Sequence, residues 1–183
     1  MVVTREDLLQ EVSRLCTGFS KVQAVVVGGK DRPASVWAGL NALSKNVQLV
    51  AVHDGARPLV SYQVIDRTLR AAHSYGAAAP AIAVKDTVKV CQGGIVVATP
   101  DRSKLYGVQT PQVFDLDLLK GALKNAQTDG IAITDDCSAV EYMGMSVKLV
   151  EGDESNIKIT TPSDYYIFKA ITEVKENSRI FGL

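Results

Sequence analysis

The stretch Val47-Gln48-Leu49-Val50-Ala51-Val52-His53-Asp54-Gly55-Ala56-Arg57-Pro58 is an apolar run that stops at a carboxylate, a glycine and an arginine. A nearly continuous apolar run of this length suits a parallel strand buried on both faces, because helices cover both sides of such a sheet. The polar residues then fall beyond the carboxyl end of the strand, which is where open α/β sheets bind ligands. Asp54 can accept from a hydroxyl or pair with a cation, Arg57 can fork onto a phosphate, and Gly55 lets a ligand approach the backbone. A plainer reading fits equally well: an Asp54–Arg57 pair closes a loop and Pro58 opens the next helix. On this stretch alone the two stand level.

The chain around it has 183 residues, 46% hydrophobic and 22% charged, a size for one well-buried core and short for two. A single domain over 1–183 is the expectation. Twenty basic residues balance twenty acidic ones, so no global field favours nucleic acid or an anionic membrane, and any anion site must be built locally. Cys16, Cys91 and Cys137 are widely spaced and contain no CxxC, which argues for a reducing compartment and against disulfides and zinc. No apolar run approaches a membrane span, and Arg5, Glu6 and Asp7 put charge where a secretory signal would not. A cytoplasmic location follows as the expectation.

Apolar strands alternate with amphipathic helical patterns, the signature of βαβ units around a parallel sheet. Thr4 and Asp7 read as a capping box opening a helix with Leu8, Leu9, Val12 and Leu15 on one face. Val22 to Val27 reads as a strand ending at Gly28-Gly29, followed by a helix with Val36, Leu40 and Leu43. A further helix carries Val64, Ile65 and Leu69 and stops near Gly76, and Ala78 to Val84 is the next strand. From Asp86 to Gln109 the pattern changes to short β-prone pieces, Thr87 to Val90 and Ile95 to Thr99, around the turn Gln92-Gly93-Gly94. Such an inserted hairpin has too little neighbouring surface to stand alone and is expected to pack on something, a second subunit for example. Leu116 to Ala126 resumes the helical period, Ser146 to Val150 is a strand, and Thr161, Pro162 and Asp164 start the last helix.

Several residues could carry chemistry. Gly28-Gly29 could let a base or phosphate lie on bare backbone, with a helix start at Ser35 supplying N–H donors, although a tight turn explains the pair as well. Neither GxGxxG nor GxxxxGK[ST] is present, which removes the two commonest nucleotide motifs. Asp135 and Asp136 fit helix capping, and Thr134 could instead offer its hydroxyl to a phosphate. Lys158 sits between Ile157 and Ile159 in an extended segment just before a helix start, a placement that suits either water or a phosphate. His53 and His73 are too isolated for a metal site, His53 reads as a packed core residue, and no nucleophilic triad can be drawn from spacing.

Seven segments taken in order resemble one family: Gly28-Gly29-Lys30-Asp31-Arg32-Pro33-Ala34-Ser35-Val36, His53 to Pro58, Lys85-Asp86-Thr87-Val88-Lys89, Thr99-Pro100-Asp101-Arg102, Gln109-Thr110-Pro111-Gln112, Thr134-Asp135-Asp136 and Asn156-Ile157-Lys158-Ile159-Thr160. The family is 2-C-methyl-D-erythritol 4-phosphate cytidylyltransferase, of the non-mevalonate isoprenoid pathway. The resemblance implies an α/β, Rossmann-like nucleotidyltransferase with a mostly parallel sheet flanked by helices and an inserted β-hairpin dimerisation arm, about residues 86–109. It implies a homodimer that joins CTP and methylerythritol phosphate, giving the CDP-alcohol and pyrophosphate, with Mg²⁺ held mainly by the CTP phosphates and no protein metal ligand. Carried over by position, Gly28, Gly29 and Ser35 look like the cytosine and ribose side, and Asp54 and Gly55 like the junction of nucleotide and methylerythritol phosphate. Arg57, Thr134 and Lys158 resemble substrate-phosphate contacts, with Lys158 the catalytic cation. Thr87 and Arg102 resemble arm residues that close the neighbouring subunit's site.

Two departures from the family pattern stand out. Lys30 follows the glycine pair where relatives often carry an acidic residue. Family members also begin with a strand and a loop resembling P-A-A-G-x-G-x-R-M, then P-K-Q, whereas this chain begins with Met1-Val2-Val3-Thr4, which resembles the end of the family's second strand. The expectation is that the first strand and glycine-rich loop are missing and that the chain as written does not turn over CTP unaided. Losing one preorganised donor from a transition-state clamp costs on the order of 10²- to 10³-fold in rate. Two alternatives remain, a pentitol (ribitol) 5-phosphate cytidylyltransferase and a non-catalytic dimerising or binding module.

Overall fold

The apolar runs become short strands and the amphipathic patterns become helices. In the computed structural model, which describes residues 1–181, the first part alternates: β1 (Val2–Thr4), α1 (Leu9–Cys16), β2 (Val25–Val27), α2 (Arg32–Asn41), β3 (Leu49–Val52), α3 (Tyr62–Tyr75) and β4 (Ala77–Ala83). The hairpin β5 (Val90–Gln92) and β6 (Ile95–Ala98) follows, then β7 (Tyr106–Val108), β8 (Gln112–Asp115), α4 (Leu116–Thr128), α5 (Asp136–Tyr142), β9 (Lys148–Glu151) and α6 (Pro162–Phe181). Of the 1–183 span expected to fold as one domain, residues 182 and 183 lie outside the described residues.

The hairpin forms where the turn signal predicts it. Gly93 and Gly94 have φ of 56° and 81°, the left-handed pair that a two-residue turn of the right twist requires and that glycine adopts without a Cβ penalty. Gly76, with φ 81°, ends α3 by donating its N–H to Ala72 O at 2.7 Å.

The sheet differs from expectation in being mixed. β3, β4 and β9 run one way, while β7 and β8 run against them, and β8 lies between β3 and β4. The hairpin is the cause: leaving β4 through it, the chain turns back and returns beside the strand it left. Tyr106 to Asp115 follows one edge of β4, as β7 against Ala81–Ala83 and as β8 against Ala77 and Ala78. Between them the ladder breaks at Gln109-Thr110-Pro111, which contains a cis Thr110–Pro111 peptide. β1 and β2 form a separate two-stranded parallel ladder among the described residues. α2 spans both pieces, packing Val36, Trp37 and Leu40 into the main core and Gly39 against Val3, where a Cβ would come within 2.8 Å of Cγ2.

The alternation along the strands sorts the core into two layers. Ala77, Ala79 and Phe114 face α2, α4 and α5, where Leu40, Leu119, Leu123 and Val140 complete the larger cluster. Ala78 and Val113 face the other way, onto Ala72 of α3 with Leu49 beside it. The Thr4–Asp7 capping box does not form: Asp7 pairs with Arg5, and a short 3-10 turn at Glu6–Leu8 precedes α1. The i,i+2 guanidinium takes the carboxylate that the cap would have used. At α6 the expected cap is present, with Asp164 accepting from the backbone N–H groups of Thr160 and Thr161 at 2.9 and 2.7 Å.

Two predictions follow from this packing. Phe114 is fully buried between layers, so Phe114→Ala is expected to cost about 3–5 kcal/mol, read as a lower midpoint in urea denaturation. The N–H donors of Thr160 and Thr161, and then their hydroxyls, hold the Asp164 carboxyl down to about 2. A depressed carboxyl stabilises the fold above its unfolded value of about 3.9 and loses that contribution as the pH falls toward the folded value. Asp164→Ala is therefore expected to lower the melting temperature at pH 7 and to melt like the parent below about pH 2.

Candidate active site

Beyond the end of β3 the chain turns at Asp54, whose side chain is 18% exposed and faces cations from three separate segments. Lys158 Nζ, on the loop between β9 and α6, lies 2.9 Å from Oδ2. Arg32 Nη2, in the first turn of α2, lies 3.6 Å from Oδ1. Arg57 Nε lies 3.9 Å from Oδ2, too far for a hydrogen bond. The loop-closing pair is thus the longest of the three contacts, and the Lys158 contact is the short one. Burial pushes the Asp54 carboxyl up, but the Lys158 hydrogen bond and the charges of Lys158, Arg32 and Arg57 together hold it below the usual carboxylate range. Arg57 is instead drawn down by burial, and its Nη1 donates to Asn156 O at 2.7 Å.

The Lys158 loop is fastened to the turn it serves. Ile159 N donates to Ala56 O at 2.8 Å, which carries Lys158 to Asp54. The other fastenings run through Gln109-Thr110-Pro111-Gln112, a motif to which sequence reasoning gave no role. Gln109 donates from Nε2 to Asp153 O at 2.8 Å and accepts at Oε1 from Asp153 N at 3.1 Å, which pins the start of the Lys158 loop. Asn156, fully buried, donates from Nδ2 to Thr110 O at 3.0 Å. Gln112 donates to Asp135 Oδ2 at 2.6 Å and accepts from the N–H groups of Asp136 and Cys137, tying down the start of α5. The Thr110 hydroxyl accepts from Asp54 N at 3.1 Å and lies 3.0 Å from His53 Nδ1. His53, read from sequence as a packed core residue, is exposed, with Nε2 3.0 Å from Arg57 O. A carbonyl only accepts, so the neutral ring carries its proton on Nε2 and takes the Thr110 proton at Nδ1.

Gly28, Gly29 and Ser35 come together, but chiefly with one another. A Cβ on Gly28 would meet Ser35 Oγ at 2.6 Å, and one on Gly29 would meet Ala34 Cβ at 2.3 Å, so the turn is glycine because α2 is packed onto it. Gly28 N donates to Thr4 O and Gly29 N to Ser35 Oγ. α2 starts at Arg32 rather than Ser35, with the Asp31 carboxylate capping Ala34 N at 2.9 Å. Gly55 has open space where a side chain would stand. At α5, Asp135 is the N-cap, in a capping box with Ser138, and Thr134 is exposed just before it. Thr87 and Arg102 lie apart: Arg102 Nη1 donates to Lys85 O at 2.5 Å, and no described hydrogen bond or ion pair joins either to Asp54.

Sequence reasoning missed Arg32 and Asp136 as partners. Asp136 is fully buried, and its Oδ2 accepts from Arg32 Nη2 at 2.8 Å. Burial pushes the Asp136 carboxyl up more than Arg32 draws it down. For Arg32 burial also works against the charge, but the Asp136 hydrogen bond and the charges of Asp136, Asp54 and Asp135 together raise the guanidinium. No spacing rule joins residues 104 positions apart in the chain. The available signal was chemical, an arginine beside the glycine pair and an aspartate one residue past a cap.

Similarity to known proteins agrees with this geometry. The family model described as IspD, 2-C-methyl-D-erythritol 4-phosphate cytidylyltransferase, matches residues 1–174. A protein of that name from Desulforamulus reducens is 48% identical over 166 residues, which cover 90% of this chain and 71% of that protein. One from Halalkalibacterium halodurans is 42% identical over 178 residues, covering 96% of this chain and 78% of that protein. Of solved structures, 4-diphosphocytidyl-2C-methyl-D-erythritol synthase from Anaerococcus prevotii superposes with a TM-score of 0.87 at 33% identity, covering 93% of this chain and 77% of that one. 2-C-methyl-D-erythritol 4-phosphate cytidylyltransferase from Thermus thermophilus gives 0.76 at 39% identity, covering 84% and 76%. No helix among the described residues is long and apolar enough to cross a membrane. With nearly its whole length matched in sequence and its fold shared by solved members, the chain belongs to the IspD family of 2-C-methyl-D-erythritol 4-phosphate cytidylyltransferases.

Proposed function

We propose that the Asp54 cluster is the meeting point of CTP and 2-C-methyl-D-erythritol 4-phosphate in a cytidylyl transfer that yields 4-diphosphocytidyl-2-C-methyl-D-erythritol and pyrophosphate. The observation that carries the reading is the convergence of Arg32, Arg57 and Lys158 on one half-buried carboxylate beyond the end of β3. Arg32 is paired to Asp136, and Lys158 with Arg57 then carries one positive charge more than Asp54 can satisfy, which suits phosphate oxygens. The substrate phosphate oxygen attacks the α-phosphorus of CTP, the new P–O bond forms in line with the one that breaks, and pyrophosphate leaves with that electron pair. Lys158 and Arg57 stabilise the charge on the oxygens in transit, and no covalent enzyme intermediate is required. Gly28, Gly29 and Ser35 form the wall for the base and ribose, and Thr134 offers its exposed hydroxyl to the substrate phosphate.

Mg²⁺ enters this reading with the CTP phosphates. The described residues contain no group of three His, Cys, Asp or Glu placed to hold a metal ion. The carboxylate at the centre already faces Lys158, Arg32 and Arg57. That donor set fits a hard ion coordinated mainly by phosphate oxygens and water. Bound there, the ion would neutralise triphosphate charge.

The hairpin arm supports a homodimer with composite sites. Ile95 and Val97, on one face of β6, are 72% and 56% exposed, and Val96 on the other is 53% exposed, apolar surface that a second copy would cover. Thr87 and Arg102 then serve the neighbouring site rather than their own. Mixing an Arg102→Ala chain with an Asp54→Ala chain, each restored to full length, is expected to recover part of the activity through one intact site, and verified heterodimers with none would count against the arm's role.

The central test follows product formation by ³¹P NMR with CTP, Mg²⁺ and methylerythritol phosphate, with ribitol 5-phosphate as competitor. In a full-length version, Lys158→Ala is expected to lower kcat/KM on the order of 10²- to 10³-fold. Unchanged turnover in that variant, or preference for ribitol phosphate, would overturn the assignment.

A further inference from the structure

Arg32 holds two carboxylates with one guanidinium. Its Nη2 donates to Asp136 Oδ2 at 2.8 Å, and the same nitrogen lies 3.6 Å from Asp54 Oδ1. Asp136 has no exposed side-chain surface, and its Oδ1 is buried without a partner. A carboxylate in that setting needs a cation, and Arg32 is the one that reaches it among the described residues. The Arg32 side chain is itself 34% exposed, so it is only partly covered although it pairs with a fully buried carboxylate. A pair serving only to hold α2 against α5 would not require the guanidinium to face the β3 turn as well.

We infer that Arg32 is a positioning residue for Asp54, anchored by the buried carboxylate of Asp136. The anchored guanidinium keeps Asp54 ionised and oriented, and Asp54 in turn seats Lys158. Arginine suits the role because its Nη2 carries two hydrogens at fixed angles in the guanidinium plane, so that one held nitrogen can face both carboxylates. Asp136 touches neither ligand and acts only through Arg32. The binding part of this inference rests on the function proposed above; the ligand-free geometry does not.

The experiment has one reading for each part. In ligand-free protein, ¹³C NMR titration of the Asp54 carboxyl in Arg32→Gln is expected to move upward by on the order of one pH unit, since a nearby opposite charge favours the ionised form. Arg32→Lys, which keeps the charge without the fork, should fall between parent and Arg32→Gln and serves if the glutamine variant fails to fold. An Asp54 titration unchanged in the folded variant overturns the inference. Calorimetry with methylerythritol phosphate in the presence of CTP and Mg²⁺ reads the second part. Arg32→Gln and Asp136→Asn are each expected to weaken binding roughly tenfold, and the double variant no more than either alone. Parent-like binding by Asp136→Asn overturns the anchor. A full-length parent that binds neither ligand defeats the proposed function, while the Asp54 titration still decides whether Arg32 positions it.

Discussion

Sealing an ionised carboxylate from water is costly unless a cation goes with it, and the arrangement of this site depends on that constraint at Asp136. Its side chain is fully buried and paired to Arg32. The pairing brings the start of α2, and with it the glycine turn, to the start of α5. Because the guanidinium is then fixed, Asp54 at the end of β3 meets a cation that it does not have to recruit. Two helix starts and one strand end thus converge, and the charges of Arg32, Asp136 and Asp54 share the same small volume. Helix N-termini and strand carboxyl ends are where α/β folds seat phosphates.

The second constraint is the broken ladder between β7 and β8. The interruption at Gln109-Thr110-Pro111 separates two glutamines that project from the sheet, Gln109 to the loop before Lys158 and Gln112, the first residue of β8, to the loop before α5. Both are buried and hydrogen-bonded through both ends of the amide, which makes them rigid spacers rather than surface groups. Thr110 closes the set by contacting Asp54 and His53. One four-residue motif therefore positions the walls on either side of the cluster.

The hairpin, the stop at Gly76, the last helix start and the strand ending before Asp54 were legible because each rests on local chemistry. Gly93 and Gly94 take positive φ that other residues resist, and Thr161 and Asp164 satisfy orphan N–H groups within one turn while Pro162 has none to satisfy. The Thr4–Asp7 cap failed on equally local grounds, since Arg5 competes for the same carboxylate. β7 and β8 gave no periodic signal, as each is too short to show alternation. Without them the sheet reads as parallel.

By itself the sequence determined the α/β character, the order of most elements, the inserted hairpin and the ligand-facing end of β3, because propensity, turn chemistry and apolar periodicity act over a few residues. Through its ordered motifs it also carried the family resemblance. Only the tertiary structure decided the antiparallel insertion of β8, the Arg32–Asp136 pair and the order of contacts around Asp54, in which Lys158 comes closer than Arg57. Those depend on which charges end up sharing a space that water cannot fill, and that is a property of the packed fold.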